Sequence, residues 1–157
     1  MVDTVVHEGL RLSYPDGFEV LGEEELRELY RDDNRDRWGI WDKGRHLIFV
    51  IYWHDSNALL GRLAGTRSLA KRAERLMSKA FGANAYRCEG FFSTQVGGVE
   101  AEGFSYAYQV QGVDQIAQTI VCRRGACCYT LYWYARKDGD PSDAQVLDDL
   151  LASISFV

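Results

Sequence analysis

Three adjacent residues, His54-Asp55-Ser56, carry the side-chain types of a hydrolytic triad. Such a triad needs its base, its orienting acid and its nucleophile aimed at one reacting atom. These three follow an apolar run, residues 47–53, and so sit at the end of a strand, where neighbouring side chains point to opposite faces. The spacing favours a capping role, with Asp55 or Ser56 opening the next helix. His7 and His46 complete the three histidines, and none stands in an H-x-x-x-H or H-E-x-x-H spacing, so zinc hydrolysis has no support. No G-x-S-x-G, P-loop or G-x-G-x-x-G occurs, and Gly97-Gly98 reads as a hairpin turn and not as a phosphate cradle. The expectation is no catalytic set, no metal site and no cofactor.

The four cysteines, Cys88, Cys122, Cys127 and Cys128, form no C-x-x-C pair and match no Cys/His zinc spacing. In a chain of this length they read as reduced core residues. One pair has a further possibility. If Arg124-Gly125 is a two-residue turn, Cys122 faces Cys127 across a hairpin, close enough for a strained disulfide. Arg123 and Arg124 would then lower a thiol pKa, as a redox switch requires.

Charge is segregated along the chain. Residues 16–36 carry nine acids and three bases, residues 62–79 six bases and one acid, and residues 138–149 five acids and no base. Arg72, Arg75 and Lys79 recur at i, i+3 and i+7 of a helical segment and form a basic stripe. A stripe of this kind on a chain of net charge −5 suits an acidic partner surface, though most such stripes are solvated helix faces. The overall charge speaks against general binding to nucleic acid. Trp38 and Trp41, beside a charged loop, are further candidate contact residues, because Trp is enriched at binding hot spots. Trp53 and Trp133 read as core.

The elements that position these residues are legible from periodicity. Residues 10–14 alternate apolar and polar, Pro15-Asp16-Gly17 turns the chain, and Phe18 and Val20 suggest a second short strand. Residues 22–30 form a helix with Glu23, Glu24 and Glu25 in its first turn, where the helix dipole favours carboxylates, and with Leu26, Leu29 and Tyr30 on its apolar side. Residues 38–41 and 47–53 make a hairpin about Asp42-Lys43-Gly44, and the second strand is apolar on both faces. A helix over 67–81, capped by Thr66, turns Leu69, Ala73, Leu76, Met77 and Ala80 to one side. Strands over 86–96, 99–110, 115–123 and 126–135, separated by short glycine-containing gaps, imply an antiparallel meander. A last helix buries Val146, Leu147, Leu150, Leu151 and Ile154. The predicted fold class is α+β, a three-layer α/β/α sandwich with a central, mainly antiparallel sheet in a single domain, 1–157. No run reaches the roughly 18 apolar residues of a transmembrane helix, and no basic-then-apolar leader opens the sequence, so a cytoplasmic location is expected.

The order of elements resembles the Mog1/PsbP-like fold family. The likeness rests on Leu12-Ser13-Tyr14-Pro15-Asp16-Gly17-Phe18 after a short N-terminal strand, the two-sided strand at 47–53, the long helix, the meander, and a terminal helix running into Ser155-Phe156-Val157. The resemblance implies binding and not catalysis. Mog1 proteins bind a Ran-type GTPase, PsbP proteins attach to photosystem II, and related bacterial domains include secretion-effector chaperones and lipoproteins. No partner-specific motif of these carries over, and no lipoprotein cysteine stands near the N-terminus. The expected role is a non-enzymatic protein-binding or chaperone-like domain with a protein partner of unknown identity, a homodimer being left open. The alternative is a small-molecule or lipid-binding domain with an aromatic pocket between sheet and helix.

Overall fold

In β5 (Leu47–Asp55), Phe49 and Ile51 turn to one face and Val50 to the other, and all three have no exposed surface. A strand sealed on both sides requires cover on both sides. The computed structural model, which describes residues 1–55 and 65–157, shows how this is met. A seven-stranded antiparallel sheet runs in the order β3 (Glu19–Val20), β4 (Arg37–Asp42), β5, β9 (Cys127–Arg136), β8 (Val113–Arg124), β7 (Val99–Val110), β6 (Arg87–Val96). One face carries α1 (Glu23–Tyr30) and α2 (Thr66–Ala80). The other carries α3 (Asp143–Ala152) and a second, three-stranded sheet.

That small sheet refines the expected three layers. β2 (Leu10–Tyr14) lies between β1 (Val2–His7) and β10 (Ser155–Phe156), so the layer beside α3 is part helix and part sheet. Leu10, Leu12 and Tyr14 point inward from β2 onto Phe49, Leu131 and Ile120, which is what their period of two demands. The residues read as a first hairpin, 10–14 and 18–20, belong to different sheets: β3 pairs with β4. The turn after Tyr14, closed by the Phe18 amide donating to the Pro15 carbonyl at 3.2 Å, carries the chain from one layer to the next.

The meander forms as expected, with one register corrected. Gly97-Gly98 and Gln111-Gly112 take positive φ at both turn positions, the requirement of a type I′ hairpin. The last turn is Gly125-Ala126 and not Arg124-Gly125, because Arg124 pairs with Cys127. Gly125, at φ +62, takes the first of the two turn positions, where a type II′ turn places glycine. A turn starting one residue earlier would have demanded positive φ from an arginine. The helix read after Asp55 falls on residues 56–64, outside those described.

Candidate functional site

Arg72, Arg75 and Lys79 lie exposed on α2, and among the described residues none forms an ion pair. The side of α2 that meets the sheet is Ala70, Ala73 and Met77, with Ala70 wholly buried and Leu69 half-buried. Leu76, assigned by periodicity to that side, is 62% exposed and sits among the three cations. Trp38 and Trp41 are three apart on β4 and therefore face opposite ways. Trp38 packs against Tyr14, ring centroids 6.0 Å apart, in the core under the small sheet. Trp41 turns to the helix side, with the Lys43 ammonium 4.5 Å above its ring. The structure thus places Trp38 away from both Trp41 and the stripe.

The thiol pair does not meet the needs of a redox switch. Cys122 lies opposite Tyr129, not Cys127, and all four thiols are free. Burial pushes the Cys122 thiol up to about 12, and it raises Cys127 and Cys128 as well, with Arg123 only partly opposing at Cys128. A thiol held neutral is a poor nucleophile. His54 and Asp55 are exposed at the end of β5, and Ser56 lies outside the described residues. Among the described residues no group of three or more His, Cys, Asp or Glu side chains is placed to hold a metal ion. No helix among them is long and apolar enough to cross a membrane.

What the helix face of the sheet does offer is a cleft. α1 and α2 cover that face without closing over it, and between their C-terminal ends the sheet is open over a cavity of about 920 Å³. Tyr30, Trp41, Phe81, Tyr108 and Tyr134 line it with Ile48 and Met77. The aromatic lining is itself well packed: Phe81 stacks on Tyr108 at 4.6 Å, and Tyr108 meets Tyr134 edge-on at 6.4 Å. Arg31, Lys43, His46 and Arg136 supply positive or titratable groups at its edge, against one carboxylate, Asp42. Arg31 and His46 hold left-handed backbone, φ 54 and 57, outside the comfortable range of side-chain-bearing residues.

Burial raises the phenols of the cleft. Tyr108 and Tyr134 are pushed up by desolvation, as is Tyr30, whose rise the Tyr134 hydroxyl and the Arg37 guanidinium only partly offset. The Tyr30 hydroxyl is buried, and the Tyr134 hydroxyl beside it is its polar partner. Neutral phenols and apolar carbons therefore make the walls, and the charge stands at the edge. That arrangement suits the binding and orienting of a ligand.

No protein-family model matches the chain, and no curated protein matches it in sequence. Solved structures do. Cyanobacterial PsbP (CyanoP) from Synechocystis sp. PCC 6803 superposes with a TM-score of 0.67 at 12% identity, covering 98% of this chain and 92% of that one. The Saccharomyces cerevisiae Ran-binding protein Mog1p superposes with a TM-score of 0.61 at 8% identity, covering 100% and 96%. The chain has the Mog1/PsbP-like fold. A Bacteroides thetaiotaomicron protein also matches, with a TM-score of 0.61 at 12% identity, but there the chain covers 98% of itself and only 47% of the other protein. At these identities the likeness fixes the fold alone.

Within this Mog1/PsbP-like fold the cleft includes Trp41, a candidate contact residue, but otherwise draws on residues that sequence reading left in the core, the turns or the helices. Tyr106 and Tyr108 on β7, and Tyr132 and Tyr134 on β9, repeat at every second position and so stack on one face. That alternation was a signal for an aromatic surface. It did not show that the two helices leave part of the surface open.

Proposed function

We propose that this chain is a non-catalytic binding domain that holds its ligand in the cleft between α1 and α2. The single observation behind this reading is the 920 Å³ cavity, open to solvent and lined by five aromatic side chains. Its size falls in the range of pockets that take small organic ligands, about 300–1,000 Å³. A sheet covered only to make a core would leave no such space, since interiors pack with few voids larger than a water molecule. A neutral reporter dye, Nile red, tests the reading. Saturable, one-to-one fluorescence enhancement is expected with the native protein. Ala80→Trp, which puts a large side chain into the cleft from an exposed helix position, should abolish the enhancement while far-UV circular dichroism stays unchanged. Enhancement that is equal in both proteins would reject the cleft as the site.

A second reading, protein docking through the outward side of α2, is favoured by Leu76. A large apolar side chain exposed among Arg72, Arg75 and Lys79 has the make-up of a small contact surface for an acidic partner. Mog1p, of like fold, is a Ran-binding protein. Reversing the three charges should abolish capture of a partner that the native chain retains. Unchanged capture would reject that surface.

A further inference from the structure

Resting on the reading of the cleft as a ligand site, we propose that its ligand is a free, elongated carboxylate with an apolar tail, of the fatty-acid class, whose tail lies across the strands and whose carboxylate is held by Lys43, Arg136 and Arg31. The shape of the cleft sets the tail. Its lining comes from five adjacent strands, through Trp41 on β4, Ile48 on β5, Tyr134 on β9, Gln115 on β8 and Tyr108 on β7. Neighbouring strands are spaced by about 4.8 Å, so four spacings make a floor about 19 Å long. An extended acyl chain matches that length, and a single ring system does not. The floor is mostly rings and aliphatic carbon, and an acyl chain asks for no hydrogen bonds along its body.

The charge at the edge sets the head group. Arg31, Lys43 and Arg136 line the cleft, and among the described residues none of them pairs with a carboxylate. Arg136 is half-buried at the end of β9, where a guanidinium without a counter-charge is costly. Lys43 is held at the cleft by the face of Trp41, 4.5 Å from the ring centroid. The one lining carboxylate, Asp42, is engaged by its own hairpin, accepting the Arg45 amide at 3.2 Å. The C-termini of α1 and α2 also border the cleft, and each contributes about half a negative charge. Three full cations against Asp42 and these two helix ends leave roughly one net positive charge, the complement of a monoanion. In a chain of net charge −5 such a surplus is local, built from residues 31, 43 and 136, which are far apart in sequence and line one cleft.

The test compares three ligands of one tail length, dodecanoate, dodecanol and dodecyltrimethylammonium, each titrated calorimetrically below its micelle concentration. Dodecanoate should bind one-to-one and about tenfold tighter than dodecanol, the factor that one charge-assisted hydrogen bond supplies. The cationic ligand should bind weakest. Lys43→Gln with Arg136→Gln should weaken dodecanoate about tenfold and leave dodecanol within about twofold, which also shows that the variant is folded. Equal binding of dodecanoate and dodecanol by the native chain, or dodecanoate binding indifferent to the double variant, would overturn the proposed head group. If Nile red uptake is nonetheless lost in Ala80→Trp, the cleft survives as a ligand site. If none of the three ligands binds and Nile red is not taken up, both readings fall together.

Discussion

Tyr30 shows how much of the cleft is settled by single side chains. It ends α1, its ring lies under the Arg37 guanidinium at 4.9 Å and beside Tyr132 at 6.0 Å, and its buried hydroxyl has the Tyr134 hydroxyl as its polar partner. Removing one member of a buried polar pair leaves the other unsatisfied, at a cost of about 1–3 kcal/mol. Tyr30→Phe keeps the ring and strands the Tyr134 hydroxyl, so stability should fall by about 1 kcal/mol. Urea unfolding would show it as a lower midpoint at unchanged slope; an unchanged or higher midpoint would mean that the two hydroxyls are not paired. Sequence reading set Tyr30 on the apolar side of α1, where it is, but the contact of its ring with Arg37 depends on a loop path that no periodicity describes. The cysteines divide in the same way. That Cys122, Cys127 and Cys128 are buried and unbridged fits their spacing, whereas Cys88 is only half-buried. Which residue faces Cys122 depended on whether the turn began at Arg124 or Gly125, a one-residue shift that changes every cross-strand pair.

At the scale of elements, α2 separates what periodicity determines from what packing determines. A helical stripe wide enough to include Leu76 and Met77 fits the sequence equally well in several rotations. The sheet selects one in which small residues, Ala70 and Ala73, make the closest approach and Met77 turns toward Tyr108 and Tyr134. Leu76, 100° further round, is left in solvent at 62% exposure. The two residues should then differ sharply on truncation. Met77→Ala is expected to cost about 2 kcal/mol, the low end for a buried side chain because Met77 borders the open cleft. Leu76→Ala should cost under about 0.5 kcal/mol, as exposed positions do. Equal losses would mean that α2 sits on the sheet in a different rotation. The strands were more legible than the helix because a strand offers only two faces. The bulk on both sides of residues 47–53 and 126–135 left no choice but cover on each side.

Over the whole molecule, that two-sided cover was the part of the architecture most plainly written in the sequence. The mixed layer beside α3 was not. β10 has two residues and β1 is largely exposed, too little pattern to assign either to a sheet before its partner β2 is in place. The same two-sided burial has a consequence for stability at high pH. Ionisable phenols and thiols fill both cores: Tyr106, Tyr132 and Tyr134 under the helices, Cys122 under the small sheet. Desolvation raises all of them, Tyr132 and Cys122 each to about 12 from ordinary values of 10.0 and 9.0. Below about pH 8 each group is neutral in both the folded and the unfolded chain and stability does not depend on it. Above that, the unfolded chain releases protons that the folded chain retains, so stability falls as pH rises toward 12. Each group contributes at most about 1.4 kcal/mol per pH unit, and several acting together should unfold the domain before its own phenols titrate. The urea midpoint is therefore expected to hold level from pH 7 to about 8, fall gradually as thiols ionise in the unfolded chain, and drop steeply above about 10. Cys122→Val, close in volume and without a titrating proton, should lessen the slope between pH 9 and 12 by up to that single-group amount. A midpoint that stays level to pH 11 in the native chain would mean that water reaches these cores, and with it the two-sided cover would fail.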